Sequence, residues 1–129
     1  MNARLQNRVA WISGAASGMG EGIARLFARE GAAVALVDVQ AAKGSAVAEQ
    51  IRAEGGRAIF IECDVAKEAA VRASIERTEK EFGGLQIIVN CAGIVQIKLL
   101  HELDEADWDR LMDINVNPFS FPSNMASRA

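Results

Sequence analysis

The sequence predicts an α/β fold: a doubly wound parallel sheet, partial in extent, with strand order 3-2-1-4 and helices on both faces. Two observations predict it. Short runs rich in Val and Ile alternate with longer segments of helical period through the 129 residues, which is the pattern of repeated βαβ units. Three of the longer segments close on glycine, at Gly31, at Gly55 and Gly56, and at Gly83 and Gly84, as helix C-termini favour. Because parallel crossovers are right-handed, three strands wound one way and a fourth crossing back leave a crevice between strands 1 and 4, at their carboxyl ends.

Strand 1 covers residues 8–13 and ends at a glycine cluster, after which Ile23, Leu26 and Phe27 mark one face of a helix. Strand 2 covers residues 33–37 and ends at Asp38, and an Ala-rich helix over residues 41–54 leads to strand 3 at residues 57–62. Val71, Ile75, Thr78 and Phe82 fall at i, i+4, i+7 and i+11, the face of a third helix, before strand 4 at residues 85–90. Residues 91–103 read as a loop. Asp104 has N-cap chemistry, and Trp108, Leu111, Met112 and Asn115 then share the face of a fourth helix that stops at Pro118. The helices after strands 1 and 2 are expected on one face of the sheet and those flanking strand 4 on the other.

A composition of 50% hydrophobic and 24% charged residues supports a packed core, and the length fits one domain or part of one. With 17 acidic residues against 14 Lys plus Arg the formal charge is −3, and the charges are scattered. No basic patch exists to neutralise a phosphate backbone or an anionic membrane, so neither nucleic acid nor membrane is an expected partner. The polar N-terminus and the lack of any apolar run of about 18 residues lead us to expect a cytoplasmic protein. There is no Tyr, one His and two Cys, which excludes a tyrosine base within these residues, a disulfide scaffold and a multi-His metal site. Cys63 and Cys91 have no CxxC spacing and read as small core residues; no metal is expected.

Ser13-Gly14-Ala15-Ala16-Ser17-Gly18-Met19-Gly20 lies between a strand and a helix N-terminus, where N–H groups and the helix dipole attract a pyrophosphate. A tight turn needs glycine as well, so the cluster alone leaves both readings open. Asp38 stands about 20 residues past the loop, where a carboxylate can accept both ribose hydroxyls of an adenosine; its other reading is an N-cap for the next helix. His101 lies beside Glu102 with no nucleophile or second ligand near it and reads as a surface residue, and Trp108 reads as core. Asn115, on an apolar helix face, is a buried polar group that must find partners.

These residues resemble the short-chain dehydrogenase/reductase family, whose sheet is Rossmann-like. The loop is similar to that family's Thr-Gly-x-x-x-Gly-x-Gly, with Ser13 in place of Thr. Asp64-Val65 after strand 3 resembles the pair that contacts the adenine ring, although Asp64 also reads as a capping residue. Asn90-Cys91-Ala92-Gly93 resembles Asn-Asn-Ala-Gly with Cys91 departing, and Asn115 matches the asparagine of the catalytic tetrad. The resemblance implies NAD as cofactor, bound through Ser13, Gly14, Ser17, Gly18, Met19, Gly20, Asp38, Val39, Asp64, Val65, Asn90, Ala92 and Gly93, and a small alcohol or ketone as substrate.

The family's proton-transfer Tyr-x-x-x-Lys belongs beyond Asn115, and this chain holds no Tyr. Residues 1–117 are therefore expected to be an incomplete NAD-binding domain and residues 118–129, with Pro118 and Pro122, an irregular tail unlike the family. A truncated or frame-shifted gene product is the expected origin, with a natural short nucleotide-binding chain as the alternative. Strand 4, apolar on both faces, is expected to be an exposed edge through which copies associate.

Overall fold

Every residue of the two central strands is buried on both faces of the sheet, and this is why they read as continuous apolar runs rather than alternating ones. A computed structural model describes residues 5–16, 18–92 and 94–100. Along the described residues the elements run β1 (Val9–Ser13), α1 (Gly18–Arg29), β2 (Ala33–Asp38), α2 (Ala41–Ala53), β3 (Arg57–Glu62), α3 (Glu68–Phe82), β4 (Ile87–Ala92) and β5 (Ile94–Leu99). The sheet order is β3-β2-β1-β4-β5; the first four strands are parallel and β5 is antiparallel to β4. The predicted order 3-2-1-4 is thus the observed one, extended by a fifth strand.

Strand alternation sorts the core into two layers. Ala10, Ile12, Val34, Leu36, Ile87 and Val89 face α1 and α2, whose Ile23, Leu26, Phe27, Val47 and Ile51 complete that layer. Val9, Trp11, Ala33, Ala35 and Val37 face α3 on the other side, against Val71, Ile75 and Phe82. Each helix ends close to a glycine with positive φ: Gly31 at 99°, Gly55 at 94° and Gly83 at 83°. Gly44 brings α2 down onto β3, since a Cβ there would lie 2.1 Å from the Phe60 ring. Under α3 the Trp11 indole N–H donates to Ser74 Oγ at 2.8 Å, and that hydroxyl donates to the Val71 carbonyl at 2.7 Å, so the buried polar groups on this face are paired.

Two expectations fail at the β4 side. Residues 94–99, expected to be loop, form β5, because Val95 and Ile97 alternate with exposed Ile94, Gln96 and Lys98 and close the α1/α2 layer of the core. Consequently β4 is not an exposed edge: it is paired along its length with β5, Ile87 opposite Leu99 and Ala92 opposite Ile94. The edge belongs to β5, where Lys98 stands exposed, a residue that discourages strand addition. Strand 4 also begins and ends two residues later than expected. Cys63 and Cys91 are free, at the ends of strands three positions apart in the sheet. The expected fourth helix, His101, Trp108, Asn115 and the tail from 118 lie outside the described residues.

Candidate functional site

The carboxyl ends of β1, β2 and β3 converge on one side of the sheet, and the loop after β1 opens directly into α1. Ser13 and Asn90 are partners in register across β1 and β4, the two strands that flank the point where the order reverses. The Ser13 hydroxyl, 1% exposed, donates to Asn90 Oδ1 at 2.8 Å and accepts the Cys91 N–H at 3.2 Å, which clamps the two strands where a crevice must open. Serine in place of threonine keeps the hydroxyl that makes both bonds.

Three glycines of the loop have different reasons to be glycine. A Cβ on Gly14 would approach the Cys91 carbonyl oxygen to 2.5 Å at a φ of +66°, and one on Gly20 would come within 2.0 Å of the Gly14 carbonyl oxygen. Both are forced by the chain's contact with itself. Gly18, at a φ of +59°, meets nothing within 4 Å and is exposed, so the backbone at the head of α1 fronts open space. The N–H groups of a helix's first turn have no intrahelical acceptors and sit at its positive end, so Gly18, Met19 and Gly20 offer an anion both donors and dipole.

Asp38 closes β2 and is buried. Its Oδ2 accepts the Ala16 N–H at 3.1 Å and its Oδ1 accepts the Gln40 N–H at 3.0 Å, so the residue is tied to the glycine-rich loop rather than standing as the N-cap of α2, a position Gln40 holds. Val39, the next residue, is 58% exposed. Just past the end of the neighbouring strand β3, Asp64 Oδ1 accepts the Ala66 N–H at 2.9 Å, and the Asp64 carbonyl accepts the Lys67 N–H, in a turn that leads into α3 and leaves Val65 44% exposed. The two exposed valines follow adjacent strand ends and offer apolar surface where a flat ring could lie.

The structure therefore brings Ser13, Gly14, Gly18, Met19, Gly20, Asp38, Val39, Asp64 and Val65 to one end of the sheet. Asn90 joins them through its pairing with Ser13, and Ala92, expected in the loop beyond strand 4, lies within β4. Ser17, Gly93 and Asn115 lie outside the described residues. Ala16, which the sequence pattern does not single out, proves to be the donor to Asp38, and no local signal marks it. Among the described residues no group of three His, Cys, Asp or Glu is placed to hold a metal ion.

Cys91 packs against the α1/α2 layer beside Gly14, and burial pushes its thiol up to about 11. The thiolate is the disfavoured form in the folded chain, so this group leaves stability intact below its ordinary value of 9.0 and removes it as pH rises through about 11. Iodoacetamide at pH 8 is expected to modify Cys91 more slowly in the folded chain than in the denatured one, as read by peptide mass mapping. Equal rates in the two states would show that the thiol is open to solvent.

The model of the short chain dehydrogenase family matches residues 8–129. D-threitol dehydrogenase of Mycolicibacterium smegmatis is 40% identical over 114 residues, 88% of this chain and 44% of that protein. A dehydrogenase/reductase structure from Sinorhizobium meliloti 1021 superposes with a TM-score of 0.68 at 40% identity, over 92% of this chain and 48% of that one. A short chain dehydrogenase/reductase from Burkholderia phymatum, solved in complex with NAD, superposes with a TM-score of 0.64 at 29% identity, over 66% of this chain and 30% of that one. This chain spans less than half the length of such curated relatives. The strand order, the Ser13–Asn90 clamp, the glycine-rich turn into α1 and the match over residues 8–129 agree: the chain belongs to the short chain dehydrogenase family.

Proposed function

We propose that this chain is the NAD-binding portion of an oxidoreductase acting on alcohol or carbonyl groups. The observation that carries the reading is the Asp38 carboxylate, fixed at the end of β2 beside the loop that opens into α1. In this assignment the N–H groups at the head of α1 take the pyrophosphate, with Gly14 and Ser17 shaping the loop. Asp38 accepts the adenosine ribose hydroxyls, and Val39, Asp64 and Val65 border the adenine. Ser13 holds Asn90 so that Asn90, Ala92 and Gly93 line the nicotinamide side. Bound NAD(H) supplies a hydride acceptor or donor. Asn115 is assigned by resemblance as a tetrad member, and residues 1–117 are taken as the cofactor domain with 118–129 as a tail.

NAD(H) is preferred over NADP(H) in this reading. A 2′-phosphate would sit against the Asp38 carboxylate, and neither Ser17 nor Val39 brings a positive charge to offset the repulsion. Calorimetric titration of the chain with both cofactors is expected to show NAD binding at least tenfold more tightly. Equal or tighter NADP binding would overturn the preference, and no binding of either would overturn the cofactor assignment.

The lack of any Tyr among the 129 residues favours a second reading of the chain by itself, a non-catalytic NAD-binding module or a partner of a full-length homologue. Mixing it with such a homologue and sizing the product tests that reading. No helix among the described residues is long and apolar enough to cross a membrane. The free Cys63 and Cys91 support our placement of the chain in the cytoplasm.

A further inference from the structure

Both oxygens of the Asp38 carboxylate accept backbone N–H groups of the chain itself. Ala16 is fully buried, and its N–H reaches the Asp38 carboxylate at 3.1 Å while the Ala15 N–H reaches the Val37 carbonyl at 3.3 Å. Those two bonds hold the glycine-rich loop down on the end of β2. The other carboxylate oxygen holds the first residue beyond the strand turn, Gln40, and the Asp38 carbonyl accepts the Cys63 N–H at 3.1 Å from the end of β3. One residue thus ties the β1–α1, β2–α2 and β3–α3 connections together. A buried N–H that loses its acceptor is costly, so the carboxylate favours this path of the loop over others.

We propose that Asp38 is a positioning residue for the phosphate-facing loop, acting through Ala16, in addition to any bond it makes to a ribose. The inference rests on the cofactor assignment above for its ligand but not for its geometry. It has a consequence of definite sign. If Asp38 acted only on ribose hydroxyls, a nucleotide without them would be indifferent to its loss, or would gain, because a negative charge near the diphosphate is removed. If it positions the loop, the same nucleotide must bind less well.

The experiment titrates the 129-residue chain and its Asp38→Ala and Asp38→Asn variants with ADP and with 2′,3′-dideoxy-ADP. Hydrogen exchange at the Ala16 amide is followed in the ligand-free proteins. We expect Asp38→Ala to weaken dideoxy-ADP about tenfold and ADP by more, and Asp38→Asn, which keeps one acceptor oxygen, to fall between. Ala16 exchange is expected to accelerate in Asp38→Ala and less so in Asp38→Asn. Unchanged or tighter dideoxy-ADP binding with unchanged Ala16 exchange overturns the proposal. If the unmodified chain binds neither nucleotide, the cofactor assignment fails instead, and the Ala16 exchange rates alone support or overturn the positioning role. Trp11 fluorescence, read in a Trp108→Phe background from a side chain buried under α3, reports whether each variant is folded.

Discussion

Gly20→Ala is expected to lower the stability of the chain by about 3 kcal/mol and to abolish measurable NAD binding, whereas Gly22→Ala, two residues along the same helix, is expected to raise stability by about 0.8 kcal/mol. Gly20 is buried and Gly22 exposed, and what a methyl group would meet at each decides the sign. At Gly20 it would press to 2.0 Å from the Gly14 carbonyl oxygen and 2.7 Å from the Gly14 carbonyl carbon, backbone atoms that cannot rotate away. At Gly22 it would meet nothing within 4 Å, and only the helix-propensity gain remains. Relief at Gly20 requires α1 to lift from the loop, and Gly14 cannot yield because it is itself lodged against the Cys91 carbonyl. A displacement of about 1 Å at the head of α1 is enough to lose some 10²-fold in a function that depends on placed donors. Thermal melts and NAD titrations of the two variants test this. Equal melting temperatures for the pair would show that the close approach of α1 to the loop does not exist in solution.

How much of this could be seen without coordinates varies by element. β1, β2 and β3 are legible because Val, Ala, Ile and Leu fill both faces of short runs bounded by glycine and acid, a pattern that only a two-sided core rewards. The face of α3 is legible only in part. Val71, Ile75 and Phe82 follow the apolar period, but Ser74, one of its most buried residues, escapes a reading based on hydrophobicity because its place is fixed by the Trp11 indole on β1. β5 is hidden for a different reason. Its Ile94, Gln96 and Lys98 face outward while Val95 and Ile97 face the core, and a glycine-containing motif just before it reads as a ligand loop. At the site, the need for glycine at positions 14, 18 and 20 is visible in the spacing. That two of them answer the chain's own carbonyls, and that Ala16 is the group Asp38 holds, depend on the meeting of segments far apart in sequence.

The 129-residue chain is expected to bind NAD(H) yet to oxidise no alcohol and reduce no ketone. Reduction of a carbonyl moves a hydride from NADH to carbon and a proton to oxygen, and the proton needs a donor held within hydrogen-bond reach. No Tyr is present to give it, and a positioned acid contributes a factor of about 10² to 10⁴ in rate. Cys91 does not replace it: the thiol packs into the α1/α2 layer beside Gly14, with burial holding it protonated up to about 11, where a donor of use at neutral pH should not lie. The described carboxylates at the site are already engaged, Asp38 by Ala16 and Gln40 and Asp64 by Ala66. Binding and turnover should therefore separate: a saturable titration with NADH, together with no substrate-dependent loss of NADH absorbance across a panel of small alcohols and ketones. Saturable turnover by the chain alone would contradict this reading. The search for its donor would then turn to residues 101–129, which hold the one histidine of the sequence, His101.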